Sequence, residues 1–242
     1  MNPTKLDFKD LIIFEDESLL CINKPVGITS LQERNNTGSG LLEMARKYCP
    51  NIKICHRLDK FTSGVLLFAK EEESYKNIVL QFQKRQVVKE YEALIFGNHN
   101  LTDVKVAYSI APSKRGMYKV DNQLGKKSLT YFTTAKKYKH HTLLSCKPIT
   151  GRPHQIRVHL AHTGKPIVGD LLYGGLDLFL SSFKKKYKIG EDQTEKPLNQ
   201  GFLLHSKQLT IRHPLTEKDI TFEAKRSKNF EICIKVLDKY DL

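Results

Sequence analysis

The stretch CHRLDKFTSGVLLFAK runs from Cys55 to Lys70. Its second half, GVLLFAK (64–70), is a continuous apolar run, the pattern of a buried strand. Ahead of it, His56, Arg57 and Asp59 stand before Thr62, Ser63 and Gly64. These last three read as a tight turn in which Gly64 is free to take a positive φ. In an extended segment residues two apart share a face, so Arg57 and Asp59 point one way while Leu58 faces the core. An aspartate at a strand end beside a turn can reach into a cleft. In a partly dry cleft it stays ionised only if a cation pairs with it. For a lone aspartate the ordinary reading is a structural ion pair on the surface.

The flanking sequence supplies the rest of a sheet. LIIFED (11–16) and SLLCINKP (18–25) read as two short strands, the second closed by Pro25, and LQERNNTGSG (31–40) as a polar loop. LLEMARKY (41–48) has helical spacing, and NIKICHRL (51–58) looks extended. In EEESYKNIVLQFQKRQ (71–86) an acidic start suits a helix N-terminus, and Tyr75, Ile78, Val79 and Phe82 follow the helical period. β-like runs follow at VVKEYEALIFG (87–97), VKVAYSI (104–110), SLTYFTTAKKY (128–138) and TLLSCKP (142–148). HQIRVHLAHTG (154–164) reads as a short helix capped by Gly164, and PIVGDLLYGG (166–175) as turns. The polar segment 181–200 is the least suited to packing. GFLLHSKQLTIRHP (201–214) and DITFEA (219–224) look like strands. KNFEICIKVLDKY (228–240) closes the chain as a helix with Ser227 as its cap. Many strands with few interleaved helices predict an α+β fold with a mixed, largely antiparallel sheet and flanking helices. The chain is read as a single domain, 1–242, with its core at about 11–225.

Forty Lys and Arg stand against 26 Asp and Glu, a net charge of +14. Such an excess attracts polyanions, of which nucleic acid is the commonest large one. Five scattered cysteines with no CxxC pair suggest reduced thiols in a cytoplasmic protein, with neither a disulfide frame nor a zinc site. MNPTKLDFKD has no apolar signal core, and no segment approaches the length of a membrane span.

Two further segments, INKPVGITS (22–30) and ITGRPHQIRVHLAHTGKPIVGD (149–170), are not explained by core formation. With them the chain resembles the RluA-type pseudouridine synthases. NKPVG (23–27), HRLDKFTSG (56–64), KEYEAL (89–94), GRPHQIRVHL (151–160) and GDLLYG (169–174) match that family's motifs in order. The likeness spans about 11 to 225, and two independent motifs in the right order make it specific. It implies a pseudouridine synthase catalytic domain with a central active-site cleft, without the small N-terminal RNA-binding module of many relatives. It implies an isomerase acting on ribosomal or transfer RNA, a monomer that needs no cofactor, metal or membrane.

By the same resemblance Asp59 is the catalytic carboxylate. Tyr91, on an alternating strand with Ala93 and Ile95, stacks against the target base, and Arg157 is the cation that pairs with Asp59. Arg57 fills the gap left by a base drawn from folded RNA. His56, Arg152 and His154 are grouped with the RNA-binding residues, His56 and His154 as hydrogen-bonding supports. The histidines His154, His159 and His162 lack HExxH spacing and a completing Cys or carboxylate, which argues against a metal. An apolar wall is expected beside Asp59, with Tyr91, Leu67 and Ile156 as candidates, because water would hydrolyse the glycosidic bond. Clusters such as KKYK (136–139), FKKKYK (183–188) and AKRSK (224–228) can follow an RNA backbone. Two other readings stay open: an RNA-binding protein that lost its chemistry, and a nucleoside hydrolase using Asp59.

Overall fold

The computed structural model describes residues 6–32, 40–184, 187 and 194–242. It divides into two compact units: one running up to Lys89 and including Ser206–Lys225, the other made of Glu90–His205 and Arg226–Leu242. Residues 33–39 of the loop read at 31–40, and residues 185–186 and 188–193 of the segment 181–200, with part of FKKKYK, lie outside the described residues.

In the first unit β1 (Ile12–Glu15) and β2 (Leu19–Lys24) form a hairpin. Its turn is held by the Asp16 carboxylate, which accepts the Ser18 and Leu19 amides. After α1 (Leu41–Tyr48) and the two-residue β3 (Lys53–Ile54), β4 (Ser63–Ala69) pairs antiparallel with both β2 and β3. α2 (Glu72–Gln83) packs on β4. The chain returns to this unit in β11 (Leu204–Arg212) and β12 (Asp219–Glu223), which pair antiparallel. All seven residues of β4 are buried, as its apolar run predicts, because it lies between β2 and β11 with Ile78 of α2 in the same core. Gly64 takes φ +109°, and a side chain there would collide with the Ser206 carbonyl, so only glycine lets the neighbouring strand approach.

In the second unit β5 (Val88–Phe96), β10 (His141–Pro148), β9 (Thr130–Lys137) and β6 (Val104–Val106) lie side by side, each pair antiparallel. A separate hairpin joins β7 (Ile110–Pro112) to β8 (Tyr118–Val120). α4 (Lys228–Tyr240) covers one face of the sheet, with Phe230, Cys233, Ile234 and Leu237 against Leu94 and Leu143. α3 (Gln155–His162) packs against β9 and β10. Gln155 reaches Thr130, which by strand alternation lies on the face opposite α4.

The α+β class and the largely antiparallel pairing agree with expectation. α1 and α4 fall where helical spacing puts them, and Ser227 Oγ accepts the Phe230 amide as a cap. Other readings are corrected. NIKICHRL is a strand only at Lys53–Ile54; Cys55 N–H still donates to Leu67 O at 3.0 Å, and beyond it the chain leaves the sheet to build a loop. VKVAYSI is divided between β6 and β7. The β7–β8 hairpin was not anticipated, since strands of only three residues, Ile-Ala-Pro and Tyr-Lys-Val, are too short for an alternation to show.

Candidate active site

The turn carrying Asp59 lies earlier than the reading at Thr62, Ser63 and Gly64: it ends at Thr62 instead of starting there. Thr62 N–H donates to Asp59 O at 3.0 Å, so the turn is Asp59–Thr62, while Ser63 and Gly64 already belong to β4. INKPVGITS, unexplained by core formation, braces this turn. In the β2–β4 register Lys24 stands opposite Gly64. Its ammonium is wholly buried and donates to three carbonyls: Pro25 at 3.0 Å, Lys60 at 3.0 Å and Thr62 at 2.8 Å. Gly27 N–H donates to the same Lys60 carbonyl at 2.9 Å. Ser30 Oγ donates to Leu58 O and accepts Leu58 N–H, at 2.8 and 3.0 Å. The backbone on both sides of Asp59 is thereby fixed by one nine-residue segment. Burial pushes the Lys24 ammonium down to about 7, opposed by a weaker upward pull from Asp59.

Arg57 is exposed, Leu58 is buried and Asp59 is half-buried, which matches the predicted alternation. Leu67 does not line a wall. It is fully buried in the apolar core beside Leu19 and Cys21 and offers no surface to a base.

His56 supports the loop. Its Nε2 accepts the Leu67 amide at 3.1 Å and its ring lies 5.2 Å from that of Phe82. Accepting at Nε2 places the ring proton on Nδ1 and disfavours a second proton. Burial, with the Lys89 charge adding to it, brings the His56 value down to about 3. That lies below the ordinary 6.5 of the unfolded chain. Between about pH 3 and 6.5 the unfolded chain therefore binds more protons, and stability rises with pH across that window. Urea unfolding at pH 6.5 and pH 3.5 should show a loss of about 2–4 kcal/mol attributable to this ring. His56→Gln, which keeps an acceptor for Leu67, should lose correspondingly less stability on acidification; equal losses in both proteins would refute the assignment.

The other site residues lie in the second unit. Tyr91 is half-buried on β5, opposite Cys146 of β10. Cys146 in turn faces Phe132, so Tyr91 lies on the α3 side of the sheet. Ala93 and Ile95 on the same side are buried. The α3 N-terminus begins at His154 in a left-handed conformation, φ +54°, uncommon for a residue with a side chain. Tyr173 Oη accepts the Tyr118 amide at 2.9 Å and lies 2.8 Å from His154 Nδ1. Arg152 donates from Nε to Lys127 O at 3.1 Å.

Arg157 is buried and held in a bidentate pair with Asp170, Nε to Oδ2 at 2.8 Å and Nη2 to Oδ1 at 2.9 Å. Its guanidinium carbon lies 4.1 Å from the Phe202 ring centre and 4.8 Å from that of Tyr173. Cation–π contact and a fork-shaped ion pair fix all the rotors of a long side chain. Reading residues singly missed Asp170, Tyr173 and Phe202. The first two sit inside GDLLYG, whose glycines were the visible signal. Gly169 takes φ +80° and has no room for a side chain against the Gly201 carbonyl. Ile156 is buried in α3. Among the described residues no three His, Cys, Asp or Glu side chains converge as metal ligands. No described helix is long and apolar enough to cross a membrane.

A family model described as RNA pseudouridylate synthase matches residues 18–162, a span that includes both the Asp59 turn and α3. The chain is 35% identical over 235 residues to "Ribosomal large subunit pseudouridine synthase D" of Buchnera aphidicola subsp. Schizaphis graminum, covering 94% of this chain and 73% of that protein. It is 33% identical over 235 residues to "Ribosomal large subunit pseudouridine synthase C" of Vibrio vulnificus, covering 96% and 70%. Among solved structures, "Human RNA Pseudouridylate Synthase Domain Containing 4" aligns with a TM-score of 0.70 at 22% identity, covering 96% of this chain and 95% of that one, a likeness of fold.

Proposed function

This chain belongs to the RNA pseudouridylate synthase family, and from that membership we propose that it converts a uridine of ribosomal RNA to pseudouridine with Asp59 as the essential carboxylate. The observation that carries the assignment is the bracing of the Asp59 turn by Lys24, Gly27 and Ser30. A buried ammonium spent wholly on carbonyls around one acid is a costly device for a mere surface ion pair.

The reaction breaks the bond between uracil N1 and the sugar and forms one from C5 to the same sugar carbon. The C5 proton is released and N1 gains one, so product and substrate are isomers and no redox partner is required. One well-placed carboxylate can supply the nucleophile or base. Arg157 serves as the cation that keeps that carboxylate charged, and Tyr91 as the ring against the base. Arg57, exposed beside the turn, is suited to fill the place of a base drawn from its stack. Of the net charge of +14, most belongs to the second unit: residues 93–169 hold thirteen Lys and Arg against only Asp103 and Asp121. A polyanion is drawn to such a stretch, and binding should weaken steeply with added salt.

The test is incubation with ribosomal and transfer RNA tritiated at uridine C5. Tritium release without free uracil, on ribosomal RNA, is the expected result. Free uracil would instead mark a hydrolase, and RNA binding with no release a protein without this chemistry.

A further inference from the structure

The helix that bears Arg157 is pegged to the sheet by a chain of hydrogen bonds whose direction can be read from end to end. Gln155 and His159 are four residues apart, one above the other on the same stripe of α3. Arg157 lies between them in sequence and on the other side of the helix. His159 is completely buried. Its Nδ1 is 3.0 Å from Thr130 Oγ1 and its Nε2 is 2.8 Å from Ser128 Oγ. Gln155 Nε2 donates to the same Thr130 hydroxyl at 2.9 Å and to Leu129 O at 3.0 Å. Gln155 Oε1 accepts from Thr150 Oγ1 and from the Arg152 amide, at 2.7 and 3.0 Å.

Hydroxyl protons settle the order. Ser128 O–H donates to the Tyr108 carbonyl, so Ser128 Oγ is left to accept from His159 Nε2–H. A neutral imidazole with its proton on Nε2 has a lone pair on Nδ1. Thr130 O–H donates into that lone pair, and Thr130 Oγ1 is free to accept the Gln155 amide. Every donor in the series meets an acceptor. A protonated His159 would turn Nδ1 into a donor and leave Thr130 facing two donors at once, and burial correspondingly lowers the His159 value from 6.5.

We infer that Thr130, with Gln155 and His159, is a positioning unit for the reaction: the shared hydroxyl sets the rotation and depth of α3 and hence where Arg157 is presented. The unit touches no substrate and acts only through the helix. On the far side of α3 the guanidinium meets Asp170, Tyr173 and Phe202, so a small roll of the helix would misalign the fork that Asp170 holds. The inference rests on the proposed role of Arg157.

Thr130→Val is nearly isosteric and removes only the node of the chain. Single-turnover pseudouridine formation should fall by about tenfold to a hundredfold, the usual penalty for misplacing a reacting group by a fraction of an ångström to an ångström. RNA affinity should stay within about twofold of wild type, and Thr130→Ser should recover most of the rate. His159→Gln can keep a donor at the Nε2 position for Ser128 but places no acceptor at the Nδ1 position facing Thr130, and should share the loss. Rates are taken per folded molecule from the circular dichroism signal. If Thr130→Val turns over like the wild type, or loses rate only in step with RNA affinity, the positioning role is wrong. A wild-type protein that forms no pseudouridine would instead overturn the enzymatic reading itself.

Discussion

Asp59→Asn is expected to reduce pseudouridine formation about 10⁴-fold or more while RNA binding stays within about twofold of wild type. Asparagine has nearly the shape of aspartate but is neither a nucleophile nor a base at neutral pH. The turn should survive the exchange, because its bonds run through backbone atoms: Thr62 N–H to Asp59 O, and Lys24 Nζ and Gly27 N–H to Lys60 O. One secondary effect follows. Lys24 loses the upward pull of the Asp59 charge, so its ammonium should release its proton more readily still. Single-turnover assays on tritiated RNA and filter binding measure the two quantities separately. A variant retaining a tenth of wild-type turnover would remove Asp59 from the chemistry.

The second large effect belongs to Asp170. Both oxygens of this carboxylate are committed to Arg157, and both side chains are almost completely buried. Asp170→Ala takes the bidentate carboxylate partner from a buried guanidinium. Breaking a buried pair from one side costs about 3–5 kcal/mol, read as a lower urea midpoint. Turnover should fall as well, since the fork that aims Arg157 is gone. The double variant Asp170→Leu with Arg157→Met separates the two consequences. Two apolar side chains of similar volume should regain most of the stability, yet turnover should remain lost if Arg157 serves the reaction. Recovery of activity in the double variant would reduce the pair to a packing element.

The sequence alone determined the strands and helices that carry their own periodicity. β4 is legible because seven consecutive small and apolar residues are buried together, and α4 because its apolar stripe and its Ser227 cap agree. It also delimited the segments that core formation does not explain, INKPVGITS (22–30) and the run 149–170. What those segments do was invisible, because their work is done by contacts between residues far apart in the chain. The letters give Lys24 no task; the β2–β4 register places its ammonium among the carbonyls of the Asp59 turn. Leu67 passes for a pocket wall until the core closes around it. Gln155, Thr130 and His159 become a single directed chain only when α3 lies on β9, and Asp170 becomes the partner of Arg157 only when the 169–174 turn folds under the helix. Periodicity is a local property and survives in a string of letters. A hydrogen bond or an ion pair across thirteen or thirty-eight residues is made by tertiary packing, which alone decides which polar side chains leave water together.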